Sequence, residues 1–205
     1  MPPFATEQED FWAGDFGDEY TRRNRGQQVV ASNTAFFARI LSRMPPPGSV
    51  VELGANIGMN LVALRRLLPE AQLSAVEINT SAAHELRRIE GVEVTVGSLF
   101  DYAPTTPADL AFIKGVLIHI APERLPEAYA ALHRSSARYV CLAEYYNPSP
   151  VEVPYRGHAG RLFKRDFAGE MLDRYADLRL VDYGFVWRRD VFAQDDLTWF
   201  LLEKR

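Results

Sequence analysis

One cysteine, Cys141, stands in the 205 residues, so no disulfide can close within the chain, and a reducing compartment, the cytoplasm, is the expected setting. The four histidines and that cysteine fall in no cluster with metal-ligand spacing, so no metal is expected. No apolar run approaches the ~18–20 residues of a membrane span. Glu7, Glu9 and Asp10 stand where a signal peptide carries positive charge, so neither a membrane nor an export route is expected. A surplus of basic residues is missing as well. Lys and Arg number 23 against 27 Asp and Glu, a net charge of −4, which disfavours nucleic acid as the main partner because phosphate neutralisation needs a broad basic face. Internal repeats and low-complexity tracts are absent. What remains is 47% hydrophobic and 24% charged, the balance of a globular domain of ordinary size.

Short apolar, β-branched runs alternate with helical patterns. SVVELG (49–54), LSAVEI (73–78), the alternating valines at 92, 94 and 96, DLAFIKG (109–115) and RYVCLAEYY (138–146) read as strands. Between them, NLVALRRLL (60–68), a charged segment from Asn79 to about Glu90, and ERLPEAYAALHRSS after Pro122 read as helices. Asn79-Thr80-Ser81 supplies helix N-cap chemistry. VVASNTAFFARILSRM (29–44) is a further helix upstream. Alternation of this kind packs as a parallel sheet with right-handed crossovers. The last third differs: NPSPVEVPYRGHAGR (147–161) reads as a loop and DFAGEMLDRY (166–175) as a helix. LRLVDYGFVW (178–187) and LTWFLLEK (197–204) follow as strands with only a turn region between them, and so pair antiparallel. The fold expected is α/β: a Rossmann-like, seven-stranded, mostly parallel sheet with an antiparallel C-terminal strand pair and helices on both faces.

VVELGANIG places Gly54 and Gly58 between the first strand and its helix, with Glu52 just before them. Such a turn lets backbone approach a ligand and aims helix N–H groups at it. A dinucleotide fingerprint would need glycines at 56 and 59, where Asn56 and Met59 stand, and a P-loop would need G-K-[ST], which is absent. Asn56 tolerates the left-handed backbone that a middle glycine would supply. Glu77 closes the second strand, where a carboxylate can accept both hydroxyls of a ribose. Together these features point to a nucleoside-type cofactor.

The element order, with ELGANIG, VEI, GSLFD and KGVLIHI, resembles the class I S-adenosylmethionine-dependent methyltransferases. More narrowly, TEQEDFWAGDFGDEYTRRN, AEYYNPSPVEVPYRGHAGRLFKRDFAGEM and QDDLTWFLLEKR resemble the pseudaminic acid biosynthesis-associated methylases, over nearly the whole chain. The resemblance implies S-adenosyl-L-methionine as cofactor and S-adenosyl-L-homocysteine as product. It implies that Glu52, Gly54, Ala55, Asn56 and Gly58 meet the methionine part, that Glu77, with Ile78 beside it, holds the ribose, and that Ser98 and Leu99 flank the adenine. Lys114 and Gly115 would lie beside the sulfonium. One methyltransferase domain over residues 1–205 is expected, with an N-terminal helical lid (1–45), a cofactor-binding half (46–146), and a substrate loop, helix and antiparallel strands (147–205). In that lid Trp12 and Tyr20, with Phe11 and Phe16, would cover the cofactor, and Arg23 would pair with its carboxylate; core packing explains the aromatics equally well.

Methyl transfer asks the protein to align nucleophile, methyl and sulfur and to keep water out, and a base helps only an unactivated hydroxyl. His119, just after the fourth strand, is a candidate base or a backbone-bonded histidine. Glu144 and Tyr146 are candidate catalytic groups at the end of the fifth strand, and Tyr145 and Asn147 candidate acceptor contacts, with strand-end packing the alternative. Tyr155, Arg156, His158 and Arg161 gather basic and aromatic side chains in a short loop of an otherwise acidic chain. A guanidinium fork binds carboxylate or phosphate with two bonds, so a small anionic acceptor is expected, against the alternative of a solvated basic loop. The acceptor class that the resemblance implies is a sugar or nucleotide-sugar. The alternatives are an amino acid or natural-product intermediate, or a non-catalytic cofactor-binding or scaffold protein.

Overall fold

A computed structural model describes residues 6–23 and 25–205, with Arg23 described by its backbone alone. Two compact units divide the chain, Met1–Tyr102 and Ala103–Arg205.

In the first unit, Thr6 caps α1 (Glu7–Ala13) by accepting from the Glu9 amide, and α2 (Asp15–Arg23) follows directly. Helix α3 (Gln27–Leu41) buries Val30, Phe36, Phe37 and Ile40 at helical spacing. Strand β1 (Ser49–Leu53), helix α4 (Met59–Leu67), strand β2 (Gln72–Glu77), helix α5 (Thr80–Leu86) and strand β3 (Val92–Val96) complete the unit, its strands parallel in the order β3-β2-β1. Helix α5 is shorter than its charged pattern suggests. The amides of Arg88 and Ile89 bond the carbonyls of Glu85 and Leu86, three residues back, which tightens the chain out of the α-helix before Gly91.

The second unit opens with β4 (Ala108–Lys114), nearly all of it buried. One-turn 3-10 segments at Leu117–His119 and Pro122–Arg124 lead into α6 (Leu125–Ser135) and β5 (Ser136–Glu144). Cys141 lies buried in the middle of β5. After β5 the stretch read as a plain loop contains a small hairpin, β6 (Val151–Glu152) against β7 (Phe163–Lys164), with Tyr155 and His158 bridged inside it and a left-handed Arg156 at its tip. Helix α7 (Phe167–Arg174) is capped by Asp166, and β8 (Leu178–Val186) and β9 (Leu197–Lys204) pair antiparallel, as expected of strands joined without a helix. The order in this unit is β4-β5-β9-β8. Buried Glu203 on β9 is clamped by Arg138 of β5 and Arg179 of β8, one carboxylate tying three strands.

The seven strands β1–β5, β8 and β9 belong to one mixed, mostly parallel sheet, the Rossmann-like arrangement the sequence implied. Among the described residues no helix is long and apolar enough to cross a membrane.

Candidate functional site

In the first unit the candidate residues converge on the carboxyl ends of β1 and β2. The chain leaves β1 through Gly54, whose amide and that of Ala55 both donate to the Val76 carbonyl, at 2.8 and 3.1 Å. Asn56 is left-handed, at φ 50°, and turns its side-chain oxygen onto the Ile57 amide at 2.6 Å. Gly58 starts α4 at φ 79°, a backbone that favours glycine, and a Cβ there would have to displace the side-chain ends of Leu86 and Ile89, 2.3 and 2.4 Å away.

Two carboxylates flank this turn. Glu52 is fully buried and accepts from Asn60 Nδ2 at 2.5 Å, a partner on the first turn of α4 that sequence reasoning missed. Glu77 is 7% exposed, with Oε2 accepting the Asn56 amide at 2.6 Å and Oε1 the Asn79 amide at 2.8 Å. Burial raises the Glu77 pKa, and the backbone amides of Asn79, Asn56 and Ile78 oppose that rise. A carboxylate has about four lone-pair sites, more than the amides directed at it here, so it can still accept from a hydroxyl. The Gly97 amide donates to the Glu77 carbonyl at 2.9 Å, which sets the end of β3 beside Glu77. Buried Ser98 then accepts the Phe100 amide on its hydroxyl oxygen, with Leu99 half-buried next to it.

Trp12 meets Phe16 and Tyr20 edge-to-face, each at 5.3 Å, and Phe11 stacks on Phe16 at 4.1 Å, so the N-terminal aromatics pack on one another. The Arg23 side chain lies outside the described residues.

The second unit gathers its candidates at the ends of β4 and β5. Lys114 ends β4, and the Gly115 amide donates to the Ala143 carbonyl at 2.9 Å. Glu144, 3% exposed, accepts the Val116 and Leu117 amides on Oε1, both at 3.0 Å. Burial pushes its pKa up to about 7 even though the amides of Val116, Leu117 and Ile118 and the charge of Lys114 act the other way. Its Oε2 makes no hydrogen bond among the described residues. Glu144, Tyr146 and Arg165 line a small cleft with Phe167, Thr198 and Phe200. Arg165 is itself tied to Glu170 at 2.6 Å, and Glu170 takes the Tyr129 hydroxyl at 2.7 Å, a network with no sequence signal.

His119 is buried, and its Nδ1 lies 2.6 Å from the Arg161 carbonyl. Facing a carbonyl, Nδ1 is the donor, and burial lowers the ring pKa to about 4, so the imidazole is neutral at pH 7. Tyr155 packs on it at 4.9 Å. His119 therefore anchors the β6–β7 hairpin to the turn after β4. At the tip Arg156 and His158 are exposed, and the Arg156 guanidinium lies 5.8 Å from the Tyr155 ring. Tyr145 takes Lys164 over its ring at 5.3 Å, and Asn147 gives its side-chain amide to the Ser149 carbonyl at 2.6 Å. Among the described residues no group of His, Cys, Asp and Glu could hold a metal ion.

No protein-family model matches the chain, and no curated protein matches it in sequence. Its fold is that of solved methyltransferases. Magnesium protoporphyrin IX methyltransferase from Synechocystis PCC 6803, solved with SAH, superposes with a TM-score of 0.69 at 15% identity, over 96% of this chain and 97% of that one. The Burkholderia thailandensis 1,6-didemethyltoxoflavin-N1-methyltransferase, with its acceptor and S-adenosylhomocysteine bound, gives 0.67 at 19% identity, over 100% and 92%. The plantazolicin methyltransferase BpumL, with a desmethyl analogue and SAH, gives 0.65 at 13%, over 96% and 94%. At such identities the likeness is one of fold.

Proposed function

We propose that this chain is an S-adenosylmethionine-dependent methyltransferase acting on a small polar, anionic acceptor. The observation that carries the reading is Glu77: a buried carboxylate at the end of β2, oriented by the Asn56 and Asn79 amides, beside a turn whose Gly54 and Gly58 bring backbone close. That donor and acceptor set fits an adenosine. Glu77 would take the ribose diol, Ser98 and Leu99 the base, and Glu52 with the Gly54–Gly58 backbone the amino-acid end. When bound, the cofactor supplies an activated methyl group on a sulfonium. The fold match to methyltransferases solved with SAH or S-adenosylhomocysteine supports the same reading.

In the second unit the neutral His119 fixes the hairpin, Glu144 offers a carboxyl group inside the cleft, and Arg156 and Arg161 offer guanidinium groups suited to a carboxylate or phosphate. The finer assignment, a sugar or nucleotide-sugar of the kind handled by the pseudaminic acid-associated methylases, rests on the resemblance in sequence. The acceptors of the solved neighbours, among them a toxoflavin precursor and a plantazolicin analogue, favour a natural-product intermediate as the second reading.

Calorimetric titration with S-adenosylhomocysteine tests the cofactor, and methyl-labelled cofactor incubated with fractionated metabolites identifies the acceptor. With an acceptor in hand, the double replacement Arg156→Ala and Arg161→Ala raises its KM severalfold and leaves cofactor affinity unchanged. Because His119 bonds the backbone carbonyl of residue 161, the variant keeps the hairpin anchored. Unchanged acceptor kinetics in the double variant would remove the hairpin from the site.

A further inference from the structure

Asn79 makes more contacts than a helix cap needs. It is 3% exposed and follows Glu77 by two residues. Its side-chain oxygen accepts the Ala82 amide at 2.8 Å and so caps α5, while its own amide donates to Glu77 Oε1. Its Nδ2 faces the carbonyls of Trp12 and Ala13, at 3.2 and 3.4 Å, and Asp18 Oδ1 at 3.0 Å. The carbonyls of Trp12 and Ala13 belong to the last turn of α1, where a helix has no partners of its own. One side chain thus caps the start of α5 and the end of α1, and its aspartate partner lies on α2.

Two further features support the link. A Cβ on Gly17 would stand 1.9 Å from the Trp12 carbonyl oxygen and 2.9 Å from Asn79 Nδ2, so the α1–α2 crossing closes down onto this amide. Beyond α2, the Arg25 guanidinium reaches Glu85 of α5 at 3.6 Å.

We propose that Asn79 is a positioning residue that couples the α1–α2 pair to Glu77, so that affinity for the adenosine moiety depends on the N-terminal helices being docked on this amide. The proposal rests on the cofactor reading above. Its physical basis is that Asn79 is shared: the backbone amide orients the Glu77 carboxylate while the side chain fixes the same residue against α1 and α2. Whatever orders one end stabilises the other, and the coupling is reciprocal.

The variant Asn79→Asp separates the two jobs of the side chain. It keeps an oxygen for the Ala82 amide, but it removes the donor and sets a carboxylate against Asp18 and two carbonyls. Without ligand it is expected to melt within a few degrees of wild type, while the α1–α2 amides exchange hydrogen at least tenfold faster. Its affinity for S-adenosylhomocysteine, read by calorimetry, is expected to fall at least fivefold. Adding Asp18→Asn returns a donor to the pair and is expected to recover part of both losses. In the wild-type protein, S-adenosylhomocysteine should slow exchange in α1 and α2, a readout that needs no variant. Wild-type affinity in Asn79→Asp, or exchange in α1–α2 that the ligand leaves unchanged, overturns the coupling. A wild-type protein that does not bind S-adenosylhomocysteine at all overturns the cofactor reading itself.

Discussion

Replacing Glu77 by alanine is expected to weaken S-adenosylhomocysteine binding by one to two orders of magnitude. The net loss of one hydrogen bond to a charged acceptor, about 1.5–3 kcal/mol, accounts for that range, since about 1.4 kcal/mol is a factor of ten in Kd. The loss is large because the acid is prepared in advance, with one amide fixed on each oxygen and little solvent left to remove. The same replacement strips the Asn56 and Asn79 amides of their acceptor, so it also lowers the melting temperature without ligand. Glu77→Gln divides the two effects. Its side-chain oxygen can still serve one amide, while its NH2 faces the other amide and cannot accept from a second hydroxyl. Calorimetry on both variants checks the assignment, and an unchanged Kd in Glu77→Ala would move the ribose away from β2.

The second large effect is a pH dependence with two opposed sources. Buried Glu144 holds its proton up to about pH 7 in the folded chain, against an ordinary value of 4.5. Folding therefore takes up a proton between those values, and this contribution to stability is present at low pH and lost as pH rises through about 7. Buried His119 behaves in reverse. Its ring stays neutral down to about pH 4 in the fold, against 6.5 ordinarily, so its contribution is present above 6.5 and lost as pH falls toward 4. Between pH 6.5 and 4.5 the two slopes oppose each other, and wild type gains little net dependence from the pair.

Removing one source exposes the other. Glu144→Gln keeps an oxygen for the Val116 and Leu117 amides and leaves His119 uncompensated. It should gain stability relative to wild type as pH rises from 4.5 to 7, and so be the more acid-labile protein. His119→Asn keeps a donor for the Arg161 carbonyl and leaves Glu144 uncompensated, so it should lose stability as pH rises to 7. Each differential approaches roughly 3 kcal/mol at about 1.4 kcal/mol per unit, on the order of 5–10 °C in Tm for a chain of this length. Thermal melts of the three proteins across pH 4.5–8 check the signs, and parallel curves would show that neither group titrates in the folded protein as described.

The residues that were legible in the sequence belong to local patterns. The ELGANIG turn and the acid closing β2 could be placed because strand, turn and helix succeed one another within a few residues, and Asn79 could be read as a cap because capping is a three-residue affair. Its hold on Trp12, Ala13 and Asp18 could not, since those partners stand more than sixty residues away. The same holds for Glu144, whose meaning depends on two amides just past the preceding strand, 28 and 27 residues upstream. Asn60 was invisible because a lone polar residue at a helix start has many ordinary uses. The hairpin after β5 escaped because its strands are two residues long, too short for alternation to register, and lie in a Pro- and Gly-rich stretch. Its anchor is a backbone carbonyl, which carries no residue signature.

The single thiol gives the molecule an internal reporter. Cys141 sits in the middle of β5 between β4 and β9, and burial raises its pKa to about 12, so the nucleophilic thiolate is withheld while those strands stay together. Alkylation by iodoacetamide then proceeds only through opened forms, and its rate, divided by that of the denatured chain, measures how often the sheet parts at its centre. Ligands and substitutions can be ranked by that one reaction, with no label to introduce and no second cysteine to remove.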